Sequence, residues 1–526
     1  MNRYNVQQIL IDSDGAAVGK NESVTRRHLL AAGAATLAAT AIGSAVAATP
    51  ASVDVKPWDR EFDVIVIGFG VSGGAAAYEA LRAGAKVLVL DRGSAAANES
   101  HGSGFYLGGG TALQRALRVE DTPEEMEKYL LATNGPEPDR EKIKLYVERS
   151  IAHFEWLVQI KMPFNERLSL ETDDPYQHAG GLGYSGDEQS YPFRELCKPA
   201  PRGHGPAEIG GIWLQKRLLE LTRDSSVQQL AADAQQLVLG AGGEVQGVTA
   251  VIDGKLLAFR ARRGVILATG GFANNREMVA LHSPRNLNCV PIDVGANDGW
   301  GIRAAQAIGA AVKRMDAIAP FWSLYPPYSR KQGILVNAQG QRFVEEDSYY
   351  GRVSDALMRE QGGVAHLIVD ADALGVRPAW MEKVLGGRNE VAAQAATLAE
   401  LEKALKIPAP ALQQTVGNYN RYAAQGDDPF FHKSKDHLRP LAKSPFTAIK
   451  ASINDTYIPF FTLGGLSTSA KTEVLDVNNN PIPHLYAVGR VASGIPASNY
   501  FSSGLSLGEG TVFGRVAGIT AAANRG

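Results

Sequence analysis

Six residues near the start of the chain have the types and spacing to hold a phosphate chain. They are Gly68-Phe69-Gly70-Val71-Ser72-Gly73, followed at once by Gly74. In a G-x-G-x-x-G turn the glycines allow a tight bend, close approach of a pyrophosphate and close packing of helix on strand. The helix that follows offers its free N–H groups to the phosphates. Asp91 lies 23 residues after Gly68, where a carboxylate accepts hydrogen bonds from the ribose hydroxyls of an adenosine. The chemistry read from these residues is dinucleotide binding, with Gly68, Gly70, Gly73, Gly74 and Asp91 as contacts.

The elements that must position them are legible on either side. Phe62–Ile67 is a short β-branched run and predicts a strand. An Ala-rich stretch to Ala83 predicts a helix, and Lys86–Leu90 a second strand ended by Asp91. Two later segments favour FAD over NAD. Arg262–Phe272 reads as a strand running into the turn Thr269-Gly270-Gly271. Near the C-terminus, Pro483–Arg490 is another strand reaching Gly489, and Gly504–Gly510 opens a helix carrying Phe513-Gly514-Arg515. A chain that returns at its far end to close on the cofactor suits the elongated FAD, whose ring needs donors such as a helix N-terminus supplies. Gly240-Ala-Gly-Gly243 reads as a hairpin turn.

Composition narrows the alternatives. With 53 Lys+Arg against 55 Asp+Glu, the formal net charge is −2, which argues against nucleic acid as the main partner. Two cysteines, Cys197 and Cys289, are too few for a disulfide scaffold, a zinc ribbon, a cysteine-ligated iron–sulfur cluster or a CxxCH haem attachment. No metal site is assigned, and electrons leaving such a cofactor would pass to a separate acceptor. The 56 glycines in 526 residues exceed the usual share of ~7%. Loops 68–74, 102–110, 270–271, 464–465 and 504–510 are the expected cofactor-facing share.

Residues 1–47 read as an address. Arg26-Arg27 precede an apolar, Ala-rich run from Leu29 to Ala47 that ends in Ala45-Val46-Ala47. A basic pair, a weakly apolar stretch and a small-x-small site read as an export signal. The alternative is a membrane anchor, since ~19 residues approach the ~20 that span a bilayer, but the run is Ala-rich and weakly hydrophobic. The paired arginines resemble a twin-arginine signal, which places the mature chain in the periplasm or otherwise outside the cytoplasm. No later stretch is apolar and long enough to span a bilayer.

Taken together, the motifs resemble the flavoprotein family that includes soluble fumarate reductases, the succinate dehydrogenase flavoprotein subunit and the 3-ketosteroid dehydrogenases. The resemblance runs from about Glu61 to Ala517 and includes Asp298-Gly299-Trp300-Gly301 and Gly340–Glu346. It implies an α/β fold: a Rossmann-like FAD-binding domain built from both chain ends (58–273 and 454–526), with an inserted α+β capping substrate domain (274–453). Helices are expected at 300–313, 394–406 and 409–425, with strands at 333–336 and 366–369. It also implies further FAD contacts at Arg92, Ser100, Gly108, Gly109, Gly110, Thr269, Gly270, Asp298, Gly489, Ser506 and Leu507. His101 follows Ser100 in a context similar to the covalent-flavin histidine of membrane-bound relatives. The glycine spacing downstream is offset by one residue, which favours a surface or backbone-bonded histidine.

Within the family, dicarboxylate reductases carry a His before a Gly-Gly-Leu turn and an Arg in the late glycine loop. Here the turn reads Phe460-Phe461-Thr462-Leu463-Gly464-Gly465-Leu466, without the His. The loop Ser493–Gly504 lacks the Arg and offers hydroxyls and aromatic surface. That loop is similar to the one in 3-ketosteroid Δ4-(5α)-dehydrogenases, as are Phe105–Thr111 and Glu346–Arg352. The resemblance implies dehydrogenation of an apolar ketosteroid. Tyr500 removes the proton alpha to the ketone, its pKa lowered for the task, while a hydride passes to the flavin. Ser502 and Ser503 compete as relay, and Tyr349 is a supporting hydroxyl with Tyr350 as its competitor. The Gly504 N–H polarises the ketone. Phe321–Tyr328 is read as pocket lining or as ordinary packing. The competing chemistry on the same fold is reduction of an activated C=C bond in a substrate other than a dicarboxylate.

Overall fold

Arg60–Ile67 forms the strand that the sequence predicts, and its residues from Phe62 to Ile67 are all buried. A strand buried on both faces belongs at the centre of a parallel sheet. It lies parallel to Val87–Asp91 on one side and to Lys255–Leu267 on the other. Val227–Ala231 extends the sheet beyond Val87–Asp91, again parallel. The computed structural model describes residues 52–53, 57–93, 102–169, 180–224, 226–292, 295–322, 327–377, 379, 390–454 and 456–525. The export signal, Ser100, His101 and part of the 321–328 stretch lie outside the described residues.

The far end of the chain enters the same sheet. Pro481–Ala487 pairs parallel with Val265–Leu267, so strands from both ends of the chain meet on one strand. The sheet has nine strands, and the hairpins through Asp233–Leu239, Val245–Ile252 and Lys255–Leu267 are antiparallel. The turn at 240–243 joins two of these strands, as expected. The fold is a mixed α/β architecture with a parallel core.

The C-terminal helix Leu505–Ala523 lies against the first helix, Val71–Arg82. Two glycines permit the approach. A Cβ on Gly514 would strike the Ser72 carbonyl, and one on Gly518 the Ala76 carbonyl. Gly508 and Gly510 also sit inside this helix, so the 504–510 stretch is a loop only at Gly504. Their work is helix packing.

The middle of the chain builds smaller sheets. Ile334–Val336, Val364–Val369, Phe446–Ser452 and Val391–Ala395 make a four-stranded antiparallel sheet. Helices Leu398–Leu405 and Ala411–Ala423 cover it through Leu401, Leu412, Val416 and Tyr419. Pro459–Thr462 pairs with Ile318–Pro320, and Gly465–Leu466 with Val312–Lys313. Two expected helices are shorter than the sequence suggests. The one from Trp300 stops at Gln306, because Gly309 turns with φ +95° and the chain then enters the strand Val312–Lys313. The 394–406 stretch divides: Val391–Ala395 is a strand, and the helix starts at Leu398, where Thr397 and Glu400 form a reciprocal capping box.

Candidate active site

The phosphate turn forms as its spacing requires. Gly68 has φ +96°, and a Cβ there would press on the Ala268 carbonyl. Gly73 packs on the Gly68 carbonyl, and Gly70 caps the helix that starts at Val71. Asp91 ends its strand and accepts the Phe69 N–H at 2.7 Å and the Gly93 N–H at 2.9 Å. It thereby fixes the turn while each carboxylate oxygen keeps a second lone pair.

The neighbouring contacts divide. Arg92 donates to Asp298 at 2.7 Å and to the Ala296 carbonyl at 2.8 Å, tying the second strand to the 295–300 segment. Burial alone would raise the Asp298 carboxyl, but the Arg92 bond and the Trp300 N–H hold it below its ordinary value. Gly270 turns with φ +75° beside Asn297, whose side chain accepts the Gly271 N–H at 2.7 Å. Gly489 turns with φ +71° beside Ser72. The Thr269 hydroxyl is buried without a hydrogen-bond partner. These features fit a dinucleotide laid along the strand ends.

Gly108, Gly109 and Gly110 do not fit that role. Their N–H groups bond Ser150 at 2.8 Å, Asp121 at 2.8 Å and Gln114 at 2.9 Å. Each amide is spent on the protein, so these glycines build a turn over Asp121 rather than present donors to a flavin.

The late loop delivers the second half of the site. Gly504 caps the C-terminal helix in the left-handed conformation, φ +87°. The Tyr500 hydroxyl accepts the Ser506 N–H at 2.9 Å, in the first turn of that helix. A phenol bonded at the positive end of a 19-residue helix has its anionic form favoured. Burial nevertheless dominates and holds Tyr500 above its ordinary value, against the opposing Ser506 bonds. This corrects the lowered pKa expected from the sequence. It also assigns the Ser506 N–H to Tyr500 and not to a flavin.

Around Tyr500 the walls are aromatic. Phe461 meets its ring edge-on at 5.2 Å and Phe321 at 6.1 Å. Phe321 also lies 5.5 Å from the Tyr350 ring, so the described part of the 321–328 stretch does border this site. Tyr349 and Tyr350 have ring centroids 4.2 Å apart. The Tyr349 hydroxyl is buried beside Tyr350 and Ser503, and burial followed by the neighbouring phenols Tyr350 and Tyr500 holds it well above its ordinary value.

The two serines separate. Ser503 accepts from the Tyr350 hydroxyl at 3.3 Å, on the tyrosine side. Ser502 is buried and meets the Tyr129 hydroxyl at 3.2 Å, on the opposite side of the loop. Tyr349 is held in place by its backbone N–H, which bonds Asp187 at 2.8 Å. Just before it, Arg342 clasps Glu346 at 2.7 and 2.8 Å and Asp428 at 2.8 and 2.9 Å. The Gly340–Glu346 segment is thus a buried ionic anchor for the tyrosines.

Sequence reasoning missed Tyr129, Asp187 and the Asp121–Arg202 pair. None belongs to a local motif, and their partners lie far away in the chain. Cys197 and Cys289 are buried free thiols.

A family model described as FAD binding domain matches residues 63–507. The chain belongs to this family. It is similar to the crystal structure of 3-ketosteroid-Δ4-(5α)-dehydrogenase from Rhodococcus jostii RHA1, which is in complex with 4-androstene-3,17-dione. The two are 41% identical, with 89% of this chain and 98% of the other covered and a TM-score of 0.80. It is 29% identical over 493 residues to the urocanate reductase of Eggerthella lenta, covering 88% of this chain and 75% of that protein. It is 26% identical over 478 residues to a probable fumarate reductase of Shewanella frigidimarina, covering 87% and 74%. The protein is a FAD-dependent oxidoreductase acting on CH–CH groups.

Proposed function

We propose that this oxidoreductase dehydrogenates a 3-ketosteroid, placing a C=C bond in conjugation with the ketone. The observation that carries this reading is the Tyr500 hydroxyl. It is seated on the Ser506 N–H, walled by Phe321 and Phe461, and flanked by Tyr349, Tyr350 and Ser503. The similarity to a dehydrogenase whose structure contains a steroid supports it. So does the absence of a His in Phe460–Leu466 and of an Arg in Ser493–Gly504, which leaves these segments poor in groups for a dicarboxylate.

FAD, when bound, supplies the hydride acceptor. Tyr500 takes the proton alpha to the ketone. The Ser506 N–H keeps its oxygen oriented and favours the charge that develops there. Ser503 and Tyr350 form the relay beside it, since Ser502 is turned to Tyr129. Tyr349 is a supporting hydroxyl, and the Gly504 N–H polarises the ketone. Phe321 and Phe461 supply apolar walls that exclude water. Residues 274–453 act as the substrate cap. The Arg26-Arg27 signal exports the chain already loaded with cofactor, and a separate acceptor removes the electrons.

The second reading reverses the reaction. The similarity to a urocanate reductase and a probable fumarate reductase favours an exported reductase of an activated C=C bond. Steady-state assays separate the two. Turnover of 5α- or 5β-reduced 3-ketosteroids with an oxidised dye is the expected result. Turnover only of urocanate or another enoate with a reduced dye would replace the first reading by the second.

A further inference from the structure

From Ser493 to Tyr500 the chain forms neither helix nor strand. Backbone groups in such a segment must find other partners. Side chains from distant parts of the chain supply them. Lys142, itself buried, donates to the Ser493 carbonyl at 2.7 Å. Arg314 donates to the Gly494 and Pro496 carbonyls at 3.3 and 3.4 Å, and Arg359 to the Ser498 carbonyl at 2.7 Å. The buried Asn134 side chain accepts the Ala497 N–H at 2.7 Å. The Ile495 N–H goes to the Glu509 carboxylate at 2.7 Å.

Glu509 differs from the other four anchors. It stands on the helix Leu505–Ala523, whose Ser506 N–H holds the Tyr500 oxygen at 2.9 Å. Glu509 follows Ser506 by three residues, less than one helical turn. One turn of helix therefore holds the segment Ile495–Tyr500 at both ends. Gly494 leaves room for this carboxylate: a Cβ there would lie 2.2 Å from one Glu509 oxygen and 2.7 Å from the other. Ile495 is buried, so loss of its acceptor carries a desolvation cost.

We propose that Glu509 is a positioning residue for Tyr500, tying Ile495 to the helix turn that seats the phenol so that its oxygen stays aimed at the substrate proton. The inference rests on the dehydrogenase reading, with Tyr500 as its base. Glu509 acts through the loop backbone and takes no proton in the reaction. With both ends tied, the segment between them is a short closed loop of little freedom. Without the Ile495 tie, the limb is set by the four outer anchors, and the distance from Tyr500 to its helix turn is no longer fixed from both ends. A displacement of about 1 Å at a reacting group costs on the order of 10²-fold in rate. The tie needs an acceptor and not a charge. Burial first, and after it the charges of Tyr350 and Glu509, raise the Tyr500 hydroxyl, so a charged Glu509 opposes the base it positions.

The test measures KM, and kcat per bound FAD, for the FAD-loaded enzyme with a 5α-reduced 3-ketosteroid and an oxidised dye. Glu509→Ala removes the acceptor. It is expected to lower kcat by roughly 10–10²-fold with KM and FAD content unchanged. Glu509→Gln keeps an acceptor for the Ile495 N–H and is expected to hold kcat at the wild-type level or above. Should Glu509→Ala fail to retain FAD, Gly494→Ala carries the test. Its added Cβ displaces the carboxylate and should give the same loss of kcat at unchanged KM. Wild-type kcat in Glu509→Ala or Gly494→Ala, a loss in Glu509→Gln equal to that in Glu509→Ala, or a loss carried by KM overturns the inference while the dehydrogenase reading stands. Absence of wild-type turnover with any 3-ketosteroid overturns that reading and the inference together.

Discussion

The loop Tyr500–Gly504 divides two regions built on opposite principles. On one side Tyr500 has its oxygen on a backbone N–H and its ring against Phe321 and Phe461. On the other side Ser502 meets a compartment of buried acids, phenols and an arginine. On the aromatic side a helix-terminal amide meets the Tyr500 oxygen, and the Arg490 guanidinium lies 4.6 Å over the Phe461 ring. The polar side contains an ion pair, Arg202–Asp121, that is wholly buried. A low-dielectric wall strengthens each hydrogen bond to a developing charge. A buried carboxylate, by contrast, holds a proton near neutral pH. The difference teaches that one loop can border two opposite electrostatic surroundings, with its adjacent serines facing one each.

The largest effect is expected on the aromatic side. Tyr500→Phe keeps the ring packing and removes the oxygen, so kcat should fall by roughly 10²–10⁴-fold with FAD still bound. An enzyme within tenfold of wild type would remove Tyr500 from the chemistry. On the polar side, Arg202→Met leaves Asp121 buried and uncompensated. Urea unfolding of the FAD-loaded protein should show a loss of about 3–5 kcal/mol. A much smaller loss would mean that Asp121 is satisfied without the pair.

Ser503→Ala removes a partner of Tyr350 and should cost up to roughly tenfold in kcat, the size of one neutral hydrogen bond. Equal losses in the Ser502→Ala and Ser503→Ala enzymes would mean that both serines serve one path. The smallest effect belongs to an exposed pair. Arg92 and Asp298 are 41% and 36% exposed, and Arg92→Ala should change stability by less than about 1 kcal/mol. A loss as large as that of Arg202→Met would erase the contrast between buried and exposed pairs.

The dinucleotide turn was legible because it is local. Strand, glycines, helix, second strand and Asp91 fall within one short segment, and each glycine has one steric reason. The return of Pro481–Ala487 to the same sheet was legible from its apolar run and the glycines after it. The tyrosine site was legible only through resemblance, because Tyr350 and Ser503 meet across 153 residues. The polar compartment was illegible: Ser502 and Tyr129 are separated by 373 residues, and nothing local marks either as its partner. Glycine richness misled at Gly108–Gly110, where a turn over Asp121 has the same composition as a turn over a flavin. It misled again at Gly508 and Gly510, which serve helix packing.

The central claim is that Tyr500 abstracts a proton from a 3-ketosteroid while FAD is reduced. Anaerobic rapid mixing tests it most directly, using wild type and Tyr500→Phe loaded with oxidised FAD and offered 5α- or 5β-reduced 3-ketosteroids. The expected result is loss of the oxidised flavin's visible absorbance in wild type and little or none in Tyr500→Phe over the same time. Bleaching at equal rates in both would contradict the role of Tyr500. No bleaching with any 3-ketosteroid, together with reoxidation of reduced wild-type flavin by an enoate, would contradict the account as a whole.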